Sequence, residues 1–278
     1  MGMQINTNVS ALNAYRNLSS TQNDLSKSLE KLSSGLRINR AADDAAGLAI
    51  SEGLRSQVNG LNVAARNAQD GISVIQTAEG ALTEVHSILQ RVRDLAVQAG
   101  NDSNNTESRT AIKTEIDALG DELTRVAAST NFNGIKLMGG AGNPTSLTFQ
   151  VGAGDQAAED QISVALTDFS GLGATVKALT VDTAANALLT ITAVDTQIGN
   201  VSTARASLGA AQNRFESTIN SLNVASENLA AAESRIRDTD MASEMVKYTA
   251  ANILSQAGTA MLAQANQANQ GVLQLLRG

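Results

Sequence analysis

The sequence predicts a mainly α protein: an elongated, coiled-coil-like rod of long antiparallel helices with a small β-hairpin region in the middle. Apolar residues recur at steps of three and four over most of the 278 residues, which is the period of an amphipathic helix. Pro144 is the only proline, so long segments contain no obligatory helix breaker. Six aromatic residues and no tryptophan predict a thin interior built from Ala, Leu, Val and Ile.

The first predicted helix is short and covers about residues 5–36. Asn8 or Ser10 can cap its start. A heptad seam runs along it, and helical spacing continues upstream with a local phase slip. The seam is Leu18, Leu25 and Leu32, with Leu29 and Leu36 at the alternate steps, and the upstream residues are Ile5, Val9, Leu12 and Tyr15.

A much longer helix is predicted next, from a cap at Asp43 or Asp44 to the "QAGND" stretch. At 1.5 Å per residue it would be roughly 80 Å long. A third helix begins at Asn105 or Thr106. The seam of the long helix includes Leu54, Val58, Leu61, Ala65, Ala68, Ile72, Ile75, Leu82, Val85, Leu89, Val92 and Ala96, and that of the third is Ile112, Ile116, Leu119, Leu123 and Val126.

The middle of the chain has a different pattern. Apolar and polar residues alternate in 147–151 and in 161–166, across a connection with glycine and aspartate, which predicts a β-hairpin. Residues 167–183 have no pattern that predicts their structure.

The helical pattern then returns for a second long helix, which Asp182 or Thr183 can cap, and for a terminal helix with Asp240 as its cap. The predicted domains are 1–42 and 239–278 as one pair of terminal helices, 43–183 with the hairpin and 184–238 as the two parts of the rod, and no large outer domain. The second long helix has an apolar residue at every seventh position: Val194, Val201, Leu208, Phe215, Leu222, Leu229 and Ile236.

Composition excludes several classes of function. A net charge of −7 without a Lys/Arg cluster argues against nucleic-acid binding, and the absence of cysteine excludes disulfides and thiolate chemistry. The sequence contains no run of ~20 consecutive apolar residues, so it predicts no membrane-spanning segment. The N-terminal residues do not resemble a cleaved signal peptide, so we expect any export to use another route.

We find no catalytic pattern, and we expect neither enzymatic activity nor a cofactor. His86 is the sole histidine and flanks a helical seam, with no cysteine or second histidine to join it. The pair Asp43 and Asp44 could suggest acid–base chemistry or a metal site, but helix capping explains it better.

A rod one or two helices thick cannot cover all its apolar stripes, least of all at the terminal helices, and the simplest partner is another copy of the chain. The long helix has a second stripe, about 100° from its first seam, which is either a side buried within the bundle or an external contact surface. This stripe is Ile88, Arg91, Leu95 and Ala99.

Two long segments closely resemble the terminal regions of bacterial flagellin. The first is "LSKSLEKLSSGLRINRAADDAAGLAISEGLRSQVNGLNVAARNAQDGISVIQTAEGALTEVHSILQRVRDLAVQAGND", and the second is "LGAAQNRFESTINSLNVASENLAAAESRIRDTDMASEMVKYTAANILSQAGTAMLAQANQANQGVLQLL". The resemblance covers about 1–140 and 200–278, whereas 141–199 do not carry the family signature.

The resemblance implies a structural subunit that is exported unfolded by the flagellar type III system and self-assembles outside the cell into the motility filament. It implies contacts with an export chaperone at the C-terminal helix and with filament cap and hook-junction proteins. The alternatives are a hook–filament junction protein of the same family and a monomeric helical-bundle binding module. A flagellin carrying a peptidase would need an HExxH motif, which the sequence lacks.

The resemblance also implies site residues. Arg91, Leu95 and Glu115 match a surface that host Toll-like receptor 5 recognises and that neighbouring subunits bury; their spacing suggests that all three lie off the packing seams. Asp94 stands where glutamate is common in that motif. The expected filament-core residues are Ile5, Val9, Leu12, Leu18, Leu25, Leu254, Met261, Val272, Leu275 and Leu276.

Overall fold

The structure is a computed structural model that describes residues 8–140 and 142–277, with side chains described as far as residue 267. The chain is mainly helical, as predicted. The elements are α1 (Val9–Ser34), α2 (Ala45–Ala99), α3 (Thr106–Ser129), β1 (Asn131–Phe132), β2 (Ile135–Lys136), β3 (Ser146–Gln150), α4 (Ala157–Asp160), β4 (Gln161–Ala165), α5 (Leu172–Lys177), α6 (Ala184–Arg237) and α7 (Met241–Arg277).

The chain divides into two compact units. One consists of Met1–Ser56 with Asn228–Gly278, and the other of Gln57–Glu227. We refer to them as the terminal unit and the central unit.

The helices begin at the polar residues that the sequence suggested. The Asn8 side chain accepts a hydrogen bond from the Ala11 amide at the start of α1, and the Asn105 side chain accepts one from Ser108 at the start of α3. Asp44 accepts the Gly47 amide at 2.8 Å at the start of α2. These acceptors satisfy amides that have no partner within a helix.

Asp43 has a different role from Asp44. Its Oδ2 accepts the backbone amides of Asn39 and Arg40, which holds the turn before α2. The capping interpretation is therefore confirmed for Asp44. Asp43 fixes the preceding turn and does not cap the helix. The turn after α1 also needs Gly35, which ends that helix at a positive φ of 73°.

In the terminal unit, α1 and α7 pack antiparallel. Asn8 Nδ2 donates to the Ala265 carbonyl at 2.9 Å near one end of the pair. At the other end the Thr239 amide donates to the Gly35 carbonyl at 3.0 Å.

In the central unit, α2 and α6 run antiparallel. Ion pairs join Glu79 to Arg205 and Arg93 to Asp195, so positions further along α2 meet positions earlier in α6. The apolar core lies between α2, α3, α6 and the β region. It contains the predicted heptad residues Val194, Val201, Leu208 and Phe215.

Three close approaches in the central unit depend on small residues. A Cβ at Gly71 of α2 would lie 2.9 Å from Cζ of Phe215, whose buried ring packs edge-to-face on Phe149 with centroids 5.5 Å apart. On α5, a Cβ at Gly173 would collide with the Gly120 carbonyl of α3, and a Cβ at Gly60 would lie 2.8 Å from the Ala153 Cβ.

The β region contains two separate hairpins. The predicted one pairs β3 with β4 antiparallel, with Phe149 opposite Ile162. The other, β1–β2, is not among the elements that the sequence predicted. Its two-residue turn is Asn133–Gly134, both at positive φ, which is the Asn-Gly combination that tight hairpins favour.

Candidate interaction surfaces

α1 and α7 pack through a continuous heptad seam of mostly small or polar residues. A Cβ at Gly258 would lie 3.2 Å from Leu18 Cδ1, so the two helices approach closely. Leu18 and Leu25 lie in this seam, as the spacing predicted. The seam consists of Ala11, Ala14, Leu18, Thr21, Leu25 and Ser28 on α1, and of Glu244, Tyr248, Ala251, Ser255, Gly258, Leu262 and Ala265 on α7.

One prediction about the seam is wrong. Leu29 is exposed, and the buried residue at this turn is its neighbour Ser28. The Ser28 hydroxyl donates to Glu244 Oε1 at 2.7 Å, so a hydrogen bond across the two helices selects serine over leucine.

Glu244 is a buried carboxylate that sequence reasoning missed. Lys247 Nζ donates to its Oε2 at 3.1 Å. Burial raises the pKa of the Glu244 carboxyl, but the hydrogen bonds from Ser28 and Lys247 and the charges of Lys247 and Lys31 outweigh burial, so the pKa lies below its usual value. Glu244, Ala251, Gly258 and Ala265 are spaced by seven residues, so this heptad spacing could have shown that Glu244 lies in the seam.

Outside the seam, α7 carries apolar side chains on all its remaining sides. Leu254 and Met261, seven residues apart, share one flank, and Met241 lies with Met245 on the other. The back of the helix carries Val246 and Ile253. All six of these residues are exposed: Met241, Met245, Val246, Ile253, Leu254 and Met261.

The first two turns of α1 also expose apolar side chains: Val9 and Leu12 lie on the side away from the seam, and Tyr15 lies on a flank. Of the expected filament-core residues, Leu18 and Leu25 therefore face the α1–α7 seam, and Val9, Leu12, Leu254 and Met261 face outward. The remaining four, Ile5, Val272, Leu275 and Leu276, lie outside the described side chains.

The structure brings Arg91 and Glu115 together on the surface of the central unit. Arg91 Nε and Nη2 donate to Glu115 Oε1 at 3.0 and 2.7 Å, and the two side chains are 56% and 44% exposed. Exposed ion pairs contribute little to stability. The pair does hold a guanidinium and a carboxylate side by side where a partner could reach both.

Leu95 does not share this surface. It is 1% exposed and belongs to the core, so the expectation that it lies off the packing seams is wrong. The reason is that α2 has neighbours on two sides: Arg91 bonds to α3, and Arg93 bonds to Asp195 of α6 at 2.6 Å. The second stripe of α2 is thus bundle packing at Leu95 and Ala99 and external surface at Arg91.

The described residues contain no group of three or more acidic or histidine side chains placed to hold a metal ion. Within the same part of the chain, no helix combines the length and the hydropathy that crossing a membrane requires. His86 is half-buried beside Val85 and Leu89, and its Nε2 lies 3.0 Å from Gln90 Nε2.

Comparison with known proteins identifies the family. The model of the bacterial flagellin N-terminal helical region matches residues 5–143, and that of the bacterial flagellin C-terminal helical region matches residues 191–276. A flagellin of Halalkalibacterium halodurans is 52% identical, and one of Bacillus subtilis is 50% identical. Each alignment covers 99% of this chain and 100% of the relative.

A solved structure agrees with this result. The crystal structure of Bacillus cereus flagellin is similar with a TM-score of 0.51 and 31% identity, over 60% of this chain and 94% of that one. The full-length matches favour flagellin over the hook–filament junction alternative. This chain belongs to the bacterial flagellin family, whose members are structural subunits of the flagellar filament outside the cell.

Proposed function

We propose that this chain enters the flagellar filament through the outward apolar faces of α1 and α7, with further copies of the chain covering them. The observation that carries the proposal is that α7 exposes large apolar side chains on both flanks and on its back, whereas α1 covers only the seam. Large apolar side chains grouped on an exposed surface usually mark an interaction site.

A second copy is the partner that fits this surface. Every copy carries the same seam and the same outward faces, so contacts between unlike faces of successive copies can continue without closing, as a filament requires. Ile253 and Leu254 are 61% and 59% exposed. Burying them against another copy would stabilise the contact by about 25 cal/mol for each Å² of apolar surface removed from water.

Polar substitution at these two positions tests the proposal. Ile253→Gln with Leu254→Gln leaves the α1–α7 seam intact, so helix content and thermal unfolding of the monomer should not change. The critical concentration for seeded polymerisation should rise by about tenfold or more, because two amides would be buried without partners. Leu254→Met is the matched control and should polymerise normally. Polymerisation of the double variant at the original critical concentration would contradict the proposal.

The family resemblance supports further details of the same function. We assign 1–42 and 239–278 to the inner-core domain of the filament, and 43–183 with 184–238 to the rod domain. Export unfolded through the type III system and contacts of the C-terminal helix with an export chaperone belong to this proposal. So do contacts with the filament cap and hook-junction proteins. We assign the chain no enzymatic role and no cofactor.

We also propose that host Toll-like receptor 5 recognises the free subunit at the Arg91–Glu115 pair. The two residues match the family's receptor motif, and their contact at 2.7 Å supports a shared surface. Arginine suits such a surface because its planar group can make paired hydrogen bonds. Leu95 acts only by supporting the helix beneath, since its side chain is buried.

Two arginines on one helix give a controlled test of this second proposal. Arg91→Ala should lower receptor activation by the monomer by about tenfold, the effect of losing a charged hydrogen bond at an interface. Arg93→Ala is the matched control, because Arg93 makes a similar exposed ion pair with Asp195 on another side of α2. Equal activity of the two variants would refute the assignment. Leu95→Ala is unsuitable, because truncating a buried leucine costs about 2–5 kcal/mol of stability.

A further inference from the structure

We propose that Met241, Met245 and Met261 are oxidation sites, and that their conversion to methionine sulfoxide by a hydroperoxide prevents a free subunit from joining the filament. This inference rests on the proposed function, because it requires the outward faces of α7 to be buried between subunits.

The described methionines fall into two groups. Met138 is 1% exposed and lies in the core of the central unit. Met241, Met245 and Met261 are 47%, 50% and 64% exposed, and all three lie on α7. A soluble oxidant can reach the thioethers of α7, whereas it reaches that of Met138 only after the central unit opens.

The three exposed methionines lie on the parts of α7 that, under the proposed function, contact another copy. Met241 and Met245 are one turn apart on one flank of α7, and Met261 shares the other flank with Leu254. None of the three lies in the seam with α1. Oxidation would therefore alter both flanks that await a partner while leaving the α1–α7 packing unchanged.

The reaction balances with the oxidant alone. The thioether sulfur attacks one peroxide oxygen and the O–O bond breaks. When the oxidant is hydrogen peroxide, the proton on the attacked oxygen passes to the leaving hydroxide, which departs as water. The sulfur is oxidised to the sulfoxide and the peroxide is reduced. The product has a strong hydrogen-bond acceptor where the thioether was apolar, and burying that acceptor without a donor weakens an interface by roughly 5- to 100-fold for each site.

Site selectivity is tested first, by treating the monomer with hydrogen peroxide and mapping the added oxygen by peptide mass spectrometry. Met241, Met245 and Met261 should gain oxygen while Met138 does not, until urea is added. The three α7 sites should react several-fold more slowly in assembled filaments. Equal rates at Met138 and on α7, or equal rates in monomer and filament, would overturn the inference.

The effect on assembly is tested next, with the same oxidised monomer in a seeded polymerisation. Its critical concentration should rise by about tenfold or more at unchanged helix content, and methionine sulfoxide reductases should restore it. A triple variant, Met241→Leu with Met245→Leu and Met261→Leu, should polymerise after peroxide treatment as well as before it. Met138→Leu is the matched control and should remain as sensitive as the original chain.

The outcomes separate this inference from the proposed function. If the oxidised monomer polymerises at the original critical concentration, or if the triple variant remains sensitive, the inference is wrong while the assembly surface stands. If Ile253→Gln with Leu254→Gln polymerises normally, the assembly surface itself is wrong, and the inference fails with it.

Discussion

Adding one methyl group at Gly71 tests how α2 and α6 fit together in the central unit. A Cβ at this position would lie 2.9, 3.1 and 3.3 Å from three carbons of the Phe215 ring, closer than the 3.5–4.0 Å that is optimal for two carbon atoms. The ring has little room to move, because it is fully buried and packs edge-to-face on Phe149 at an angle of 86°. Gly71→Ala must therefore push the helices apart or tilt the ring.

Two opposing effects set the magnitude. Replacing glycine by alanine inside a helix stabilises it by about 1 kcal/mol. Overpacking a core costs about 1–3 kcal/mol. We expect Gly71→Ala to destabilise the central unit by about 0–2 kcal/mol, whereas Gly80→Ala on the same helix, with no atom within 4 Å of the added Cβ, should stabilise it by up to about 1 kcal/mol.

Whether Gly71→Ala stabilises or destabilises the central unit should depend on the Phe215 ring. Phe215→Leu removes the atoms that the new methyl group would meet, so in that background Gly71→Ala should stabilise by about 1 kcal/mol. The coupling energy of this double-mutant cycle should be about 1–3 kcal/mol. Native-state hydrogen exchange on peptides that include Gly71 or Phe215 measures each opening free energy locally. Additivity within about 0.5 kcal/mol, or equal effects of Gly71→Ala and Gly80→Ala, would refute the packing argument.

Two further predictions concern other contacts. The pKa of Glu244 is lower in the folded chain than the ordinary glutamate pKa of about 4.3. The ionised carboxylate therefore stabilises the terminal unit fully above that ordinary pKa, and this stabilisation is lost as the pH falls through the pKa of the folded state. Glu244→Gln should lower the free energy of unfolding by about 1–2 kcal/mol at neutral pH, because the Ser28 hydroxyl then donates to an uncharged acceptor. In a circular-dichroism titration, unfolding of the variant should depend less on acid pH. An unchanged titration would contradict this. Gly173→Ala should destabilise the central unit by about 1–3 kcal/mol, because the added methyl group meets the Gly120 carbonyl. Gly209→Ala is the control and should not destabilise it, since a Cβ there has open space around it. Equal unfolding midpoints of the two variants in urea would contradict this.

The sequence predicts the helices well because their signals are local. The step of three and four residues along each helix, together with caps such as Asn8, Asn105 and Asp240, depends only on neighbours in the chain. The β3–β4 hairpin was predictable for the same reason, since alternation over five residues is a local pattern.

Errors arise where a distant residue decides the outcome. Spacing alone permits Leu29 in the α1 seam, but Glu244, 216 residues away from Ser28, supplies the acceptor that brings Ser28 there instead. The burial of Leu95 depends on a second neighbour of α2, which the pattern of one helix cannot reveal. The six-residue helix α5 is held by its close approach to α3 at Gly120, and so short a helix has no periodicity to read.

The distribution of aromatic rings gives the chain a built-in optical label. Tyr15 and Tyr248, the only two tyrosines, belong to the terminal unit, and all four phenylalanines, Phe215 among them, belong to the central unit. Without tryptophan to mask it, tyrosine fluorescence reports the terminal unit alone, and the phenylalanine bands of the near-ultraviolet circular dichroism report the central one. The melting of each unit can thus be followed separately in an unmodified chain. If another copy docks on the outward face of α1, as we propose, the fluorescence of the exposed Tyr15 should change as well.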